Sequence, residues 1–304
     1  MVFLGASATA TILLQGLFFG GILSLIAVGL TLIFGVSKVL NIAHGDFLFL
    51  GGATTVVLFT VFGLNPFLSI AVVVPVFAFV GVLMSYLMRK PLQARTQELA
   101  TAASVLVTLG LSNLIEGIGS RAAPIYGYNY FSIPSSTIGI GSISIADVVL
   151  NGVFLIAFFV VIAISVGVTF LVYKTSLGST MRAAMADREV ALMLGIDTNR
   201  VSMVTFAIGI SLAALAGTID VLTTNLTPDT GLTLTVFALT VVVLGGLGSF
   251  YGALLGGFLI GFVTNLVELV LIDLNFQGSE WAGAVPLIIL IAVLVARPTG
   301  LLKR

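Results

Sequence analysis

The sequence predicts an all-α integral membrane protein: a polytopic bundle of about 8–10 transmembrane segments, some Gly-rich and broken or re-entrant, with a short helix on the cytoplasmic side. Three observations carry this. Of 304 residues, 59% are hydrophobic and 8% charged, against about 25% charged in a soluble domain. Such a chain cannot cover a globular surface with polar groups. The apolar runs reach about 20 residues without alternating, which fits spanning helices and not barrel strands. The 34 glycines suit close helix packing through small residues.

In order, apolar segments lie near 9–36, 47–63, 66–88, 98–119, 147–173, 200–223, 231–247, 250–272 and 282–297. The opening MVFLGASATATILL has no positive n-region, so no cleaved signal peptide is expected. The pair 231–247 and 250–272, around a glycine cluster, is expected to be half-helices or a bent pair rather than two full crossings. LIFGVSKVLNIAHGDFLFLGG (32–52) and VVLGGLGSFYGALLGGFLIG (242–261) share their Gly and polar punctuation. Paired interruptions of this kind point to internal repeats and a midplane path. The segment 120–146, rich in Tyr, Ser, Ile, Gly and Pro, reads as an exterior loop, either a cap over the outer mouth or a solvated connector.

Lys and Arg in short loops set orientation. Arg89, Lys90 and Arg95 share one loop, the segment 174–200 holds Lys174, Arg182, Arg188 and Arg200, and the tail holds Arg297, Lys303 and Arg304. The loops at 63–66, 224–231 and 273–281 have none, and 120–146 has only Arg121. The basic loops and the C-terminus are therefore expected in the cytoplasm, and an alternating count puts the N-terminus outside.

Residues 174–200, KTSLGSTMRAAMADREVALMLGIDTNR, form a polar island with four basic and three acidic residues. Ala, Met, Arg, Glu and Leu at its centre favour helix. Ser179 or Thr180 can cap one helical start and Asp187 a second, and Gly195 suits a helix end. Met181, Ala184, Met185, Leu192 and Gly195, with Arg188 among them, fall on one helical side. A short helix at a membrane surface is a handle for a soluble partner.

Asn41, His44 and Asp46 are polar groups in a run that otherwise reads as membrane, where burial makes them functional candidates. The single His cannot build a His-based metal site. The residue types favour a structural hydrogen-bond cluster around a helix broken at Gly45; a His–Asp proton-transfer pair is the alternative. Gly252, Gly256 and Gly257 read as helix packing, whereas Gly245, Gly246 and Gly248 fit a turn lining a pathway. Glu116, Asp220 and Glu268 lie near exterior helix ends, where interfacial placement explains them; Asp220 has the alternative of facing a path. No P-loop, G-x-S-x-G or H-E-x-x-H pattern occurs, so any ATP-driven motor is expected on another polypeptide.

Three blocks, GLTLIFGVSKVLNIAHGDFLFLGG (29–52), RAAMADREVALMLGIDTNRVSMVTFAIGISLAALAG (182–217) and FALTVVVLGGLGSFYGALLGGFLIG (237–261), resemble the branched-chain amino acid ABC importer permeases of the LivH type. Order, spacing and flanking spans agree over nearly the whole chain. The island resembles the cytoplasmic "EAA" loop of such permeases: Glu189, Ala191 and Gly195 stand as E-x-A-x-x-x-G, with Val190 in place of the middle Ala. The resemblance implies one permease domain over 1–304 in the cell membrane, without catalytic or metal residues or a bound cofactor. It would pair with a second, LivM-like permease or with itself, and work with two cytoplasmic ATPases that use ATP and an extracytoplasmic solute-binding protein. It implies that residues 182–195 are the docking helix, with Arg182, Ala183, Ala184, Asp187, Arg188, Glu189, Ala191 and Gly195 in ATPase coupling. Leu, Ile and Val are the expected solutes, with urea or short amides as the alternative. A proton-coupled secondary transporter using His44 and Asp46, and an intramembrane enzyme, are the other classes to be tested.

Overall fold

The computed structural model describes residues 6–89, 96–125, 130–145, 148–274 and 283–296. The chain is all-α, with one small hairpin. Helices α1 (Ala6–Ser37), α2 (His44–Phe62), α3 (Pro66–Leu87) and α4 (Gln97–Ile125) form the first half. A hairpin of β1 (Ser142–Ile145) and β2 (Val148–Asn151) leads into α5 (Gly152–Lys174). Two short helices, α6 (Ser176–Ala186) and α7 (Arg188–Met193), precede α8 (Thr198–Asp220), α9 (Thr230–Gly245), α10 (Phe250–Asp273) and α11 (Val285–Ala296). Among the described residues seven helices are long and apolar enough to cross a membrane, and α9 and α11 are shorter apolar helices. The expected bent pair thus resolves into a short α9 and a full-length α10.

Local signals fix most boundaries. Asn65 accepts a hydrogen bond from Phe67 N–H and Pro66 opens α3, a position where the missing N–H costs nothing. Gly63 ends α2 with φ 64°, its N–H returning to the last turn. Asp197 caps α8 through Asn199 and Arg200 N–H.

The two most buried spans, α1 and α8, form the centre, and the others wrap them. Lipid provides no hydrophobic drive for helices to associate, so close backbone approach carries the packing. On α1 and α10, Gly20 faces Phe258 and Gly261, while Ser24 donates to the Leu254 carbonyl at 2.7 Å. On α2 and α8, Gly51 lies against Ala214, and Gly217 against Leu48.

One end of the bundle is basic. Ser37, at the end of α1, meets Ser202 of α8 at 2.6 Å, and Gly35 packs on Met185 of α6. Arg89 at the foot of α3 lines a cavity with Arg188 and Arg200. Lys38, Lys174 and Arg182 lie at the same end; Arg121, at the far end of α4, does not. Lys38, between the first two apolar segments, adds to this basic end. Lys90, Arg95, Arg297, Lys303, Arg304 and most of 273–281 fall outside the described residues. At the opposite end the segment after α4 is packed rather than loose: Phe131 and Leu226 exchange backbone hydrogen bonds of 2.8 and 2.9 Å, and Ile133 N–H bonds the Val221 carbonyl at 2.9 Å. Both side chains are buried.

Candidate functional site

The first candidate region is the interruption at residues 38–43 between α1 and α2. Lys38 takes φ 56°, rare for a residue with a Cβ, and turns the chain back along α1. His44 consequently sits beside Ile26 and Gly29, midway along α1 rather than at its end. The break leaves backbone groups without helical partners, and hydroxyls from two other helices meet them. Thr108 Oγ1 on α4 accepts from Ile42 N–H at 3.0 Å. Thr235 Oγ1 on α9 accepts from Gly45 N–H at 2.8 Å and donates to Gly231 C=O at 3.0 Å. In a membrane this satisfaction is what permits irregular backbone.

The sequence placed the break at Gly45; the structure moves it upstream. Gly45 lies in the first turn of α2, and a Cβ there would overlap the Gly231 carbonyl oxygen. The residue is small because α9 begins against it. Asp46 also lies in that first turn, pressed on Gly231, so its carboxylate stands where the first turns of α2 and α9 meet. The positive ends of two helix dipoles favour negative charge there. Ser112 and Glu116 of α4 also face Asp46. Neither Thr108, Thr235 nor Ser112 was singled out from sequence; a hydroxyl repeated inside apolar spans was the available signal.

Asn41, His44 and Asp46 are all essentially fully buried. His44 Nε2 lies 3.1 Å from the Ile26 carbonyl. A carbonyl only accepts, so Nε2 carries the proton. Both amide atoms of Asn41, His44 Nδ1 and Asp46 Oδ2 are buried without a hydrogen-bond partner among the described residues. Each such group costs about 1–3 kcal/mol, so this deep polar patch is expensive for packing alone and suited to meeting a polar solute or rearranging. Among the described residues no three His, Cys, Asp or Glu gather as a metal site. The geometry predicts that His44→Ala lowers stability by about 1–3 kcal/mol, read as a lower melting temperature of the purified protein. His44→Gln, which restores an N–H donor, should recover most of it. A normally assembled His44→Gln with a displaced pH optimum of transport would instead favour a proton role.

The second region is the polar island. It is two helices, not one spanning 182–195. Thr175 rather than Ser179 or Thr180 caps α6, accepting from Gly178 N–H, and α6 ends where Asp187 turns extended. Asp187 Oδ1 then accepts from Glu189 and Val190 N–H at 2.9 and 3.0 Å, starting α7. Gly195, at φ 80°, closes it. The turn at Asp187 rotates α7 relative to α6, so the expected single face divides. Met181, Ala184 and Ala191 are buried with Val36 of α1, whereas Leu192 and Gly195 are exposed. Arg182 donates to the Val172 carbonyl and lies over the Tyr173 ring at 5.2 Å, tying α6 to α5. Ala183 is half-buried beside it, and Arg188 reaches Asn199 at 3.5 Å. Glu189 is exposed, together with Val190, Leu192, Met193 and Leu194, the last two at 85% and 74%.

The glycine turn lies against this element. Gly246 and Gly248, at φ 93° and 84°, link α9 to α10, and Gly248 approaches Gly35. Gly248 shares a cavity of about 290 Å³ with Arg182 and Met185. Gly245 does not belong to an open turn: it is helical and packs against Gly252, as Gly257 packs against Ser24. The turn and His44 meet α1 nine residues apart, at Gly35 and Ile26, about 13 Å along the helix axis. Away from the basic end, Asp220 and Glu268 line one cavity, while Glu116 belongs to the surroundings of Asp46.

Residues 12–294 match the family model described as branched-chain amino acid transport system / permease component. The chain is 31% identical to a probable branched-chain amino acid transport permease protein LivH of Methanocaldococcus jannaschii, over 95% of this chain and 91% of that protein. It is 28% identical to the high-affinity branched-chain amino acid transport system permease protein BraD of Pseudomonas aeruginosa, over 96% and 95%. It is 27% identical to the ribose import permease protein RbsC of Haemophilus influenzae, over 92% and 83%. No solved structure matches.

Proposed function

Because this chain belongs to the branched-chain amino acid transport system / permease component family, we propose that it forms the transmembrane path of an ATP-binding-cassette importer for Leu, Ile and Val. The observation that carries the mechanism is the apolar tip of α7, displayed on the basic end of the bundle. A soluble protein's surface scatters single apolar residues; four in one short stretch, beside a cavity lined by Arg89, Arg188 and the Arg200–Asp197 ion pair, suit a partner's groove with acidic edges. We assign that partner as the ATPase, two copies per importer. The family composition implied by the sequence adds a second permease, or a second copy of this chain, and an extracytoplasmic solute-binding protein. The basic end, and with it the C-terminus, then faces the cytoplasm.

The mechanism follows from how the end is built. Arg182 ties α6 to α5, Met185 packs on Gly35 of α1, and the glycine turn between α9 and α10 lies beside them. A displacement of α7 by ATP-driven closure of the partner reaches α1, α5 and the α9–α10 turn through direct packing. Alpha1 in turn bears on the break at 38–43, where Asn41, His44 and Asp46 would line the path. The chain holds no motor, and binding ATP is left to the partner subunits.

Liposomes containing the whole assembly, loaded with ATP and supplied with the binding protein, should accumulate labelled leucine; liposomes containing this chain alone should not. Uphill uptake by the chain alone would replace this reading with a secondary transporter. Similarity to a ribose import permease favours a second reading, in which the solute differs and the binding protein selects it; competition of leucine uptake by ribose, urea and acetamide tests that.

A further inference from the structure

A cavity of about 380 Å³ opens between the exterior halves of α1, α5, α8, α9 and α10, within the usual range of about 300–1,000 Å³ for small-molecule sites. Its wall has two kinds of surface. Asp220, at the end of α8, and Glu268, on α10, present carboxylates. Phe18 and Phe237 present aromatic surface, and Phe154 extends it, its ring centroid 4.4 Å from that of Phe18. Among the described residues no Lys or Arg lines the cavity, so none of them balances the two acids.

Two further details point to a ligand. Asp220 is 4% exposed, and Thr224 Oγ1 donates to its Oδ1 at 2.9 Å. That bond leaves the carboxylate acceptor capacity on Oδ2. Thr264, on the same wall, is 5% exposed, and its hydroxyl has no hydrogen-bond partner among the described residues. Burying an unmatched hydroxyl next to uncompensated acids costs free energy that a purely structural role does not recover.

We propose that this cavity binds a small solute that joins a primary ammonium to an apolar body. The ammonium sits between Asp220 and Glu268, with Thr264 Oγ1 as a third acceptor, and the body lies on Phe18 and Phe237. Ammonium over aromatic faces adds cation–π attraction. Resting on the reading above, that solute is a branched-chain amino acid on its way in, its own carboxylate turned away from the two acids toward the Gln15 amide on the same lining, held near the mouth before the polar patch at Asn41 and His44. A sugar has no cation to answer the acids, so the site also discriminates against the solute named for the ribose import permease that this chain resembles.

The test uses the assembled importer in detergent, with equilibrium binding of labelled leucine and competition by two analogues. The amine 3-methylbutylamine keeps the ammonium and the branched chain; 4-methylpentanoate keeps the chain and lacks the ammonium. Wild type should lose bound leucine to the amine and not to the acid. Glu268→Gln and Asp220→Asn should each weaken leucine about tenfold or more, the loss of one charged hydrogen bond. Thr264→Val should weaken it severalfold. Co-purification of the partner subunits checks that each variant is assembled. Equal competition by 4-methylpentanoate, or unchanged leucine binding in both carboxylate variants, overturns the site. If the wild-type importer takes up no leucine, the substrate reading fails, and the cavity is then judged on direct binding of labelled 3-methylbutylamine, which must still be lost in Glu268→Gln.

Discussion

Met193→Glu and Leu194→Glu are each expected to reduce ATP-driven uptake about tenfold or more while the protein remains folded in the membrane. Both side chains project from the tip of α7 with most of their surface exposed. Nothing in the bundle needs them: the side chains that hold α7 down are Ala191, buried with Val36 and Met181, and the Asp187 cap. An exposed apolar anchor that fills a partner's groove commonly contributes about 2–4 kcal/mol to association, and a carboxylate in its place adds desolvation. Pull-down of the ATPase subunits, with uptake measured in parallel, decides it. Retained ATPase binding with full uptake in both variants would remove α7 as the docking tip. The contrasting variant is Ala191→Glu, which should detach α7 from α1 and lower the melting temperature as well.

Gly217→Val is expected to prevent the protein from accumulating in the membrane. A Cβ at Gly217 would overlap the Leu48 carbonyl oxygen and come within 3.0 Å of Gly52 N. Both obstacles are backbone, so α2 and α8 must separate. Overpacking by single methylenes costs about 1–3 kcal/mol, and a branched side chain driven into backbone exceeds that, against a total stability of about 5–15 kcal/mol. The consequence spreads, because α2 carries His44 and Asp46 at its start. Gly167→Val is the control: it lies on the exposed face of α5 with nothing within 4 Å. Membrane yield and thermal unfolding should be unchanged there. Equal yields for the two variants would show that the α2–α8 approach is not limiting.

Much of the architecture was legible because lipid imposes a length and a composition on anything that crosses it. The nine apolar segments correspond to nine described helices, and Asp187 and Gly195 mark a start and an end in the island as their chemistry suggests. Individual contacts were not legible in the same way. Gly45 looked like a helix breaker, yet it is small because α9 starts against it; Gly245 looked like a turn residue, yet it packs on Gly252. A glycine in sequence says that something needs room or rotation, not which. Leu192 and Gly195 do not share one helical side with Met181 and Ala184, because helical phase is broken at Asp187, where the chain turns extended. The hydroxyls of Thr108 and Thr235 gave no sign of their task, since it depends on which helix lies opposite.

What the sequence determined alone is that the chain lives in a membrane, spans it many times and has one strongly basic set of connections. These follow from hydropathy and charge, which act residue by residue. What only the tertiary structure decided is that α2 begins beside the middle of α1, that Asp46 meets the start of α9, and that Asp220 and Glu268 share one cavity. Those facts arise from residues far apart in the chain, and the free energy that joins them is the matching of backbone to backbone and of polar group to polar group across helices, which no single stretch contains.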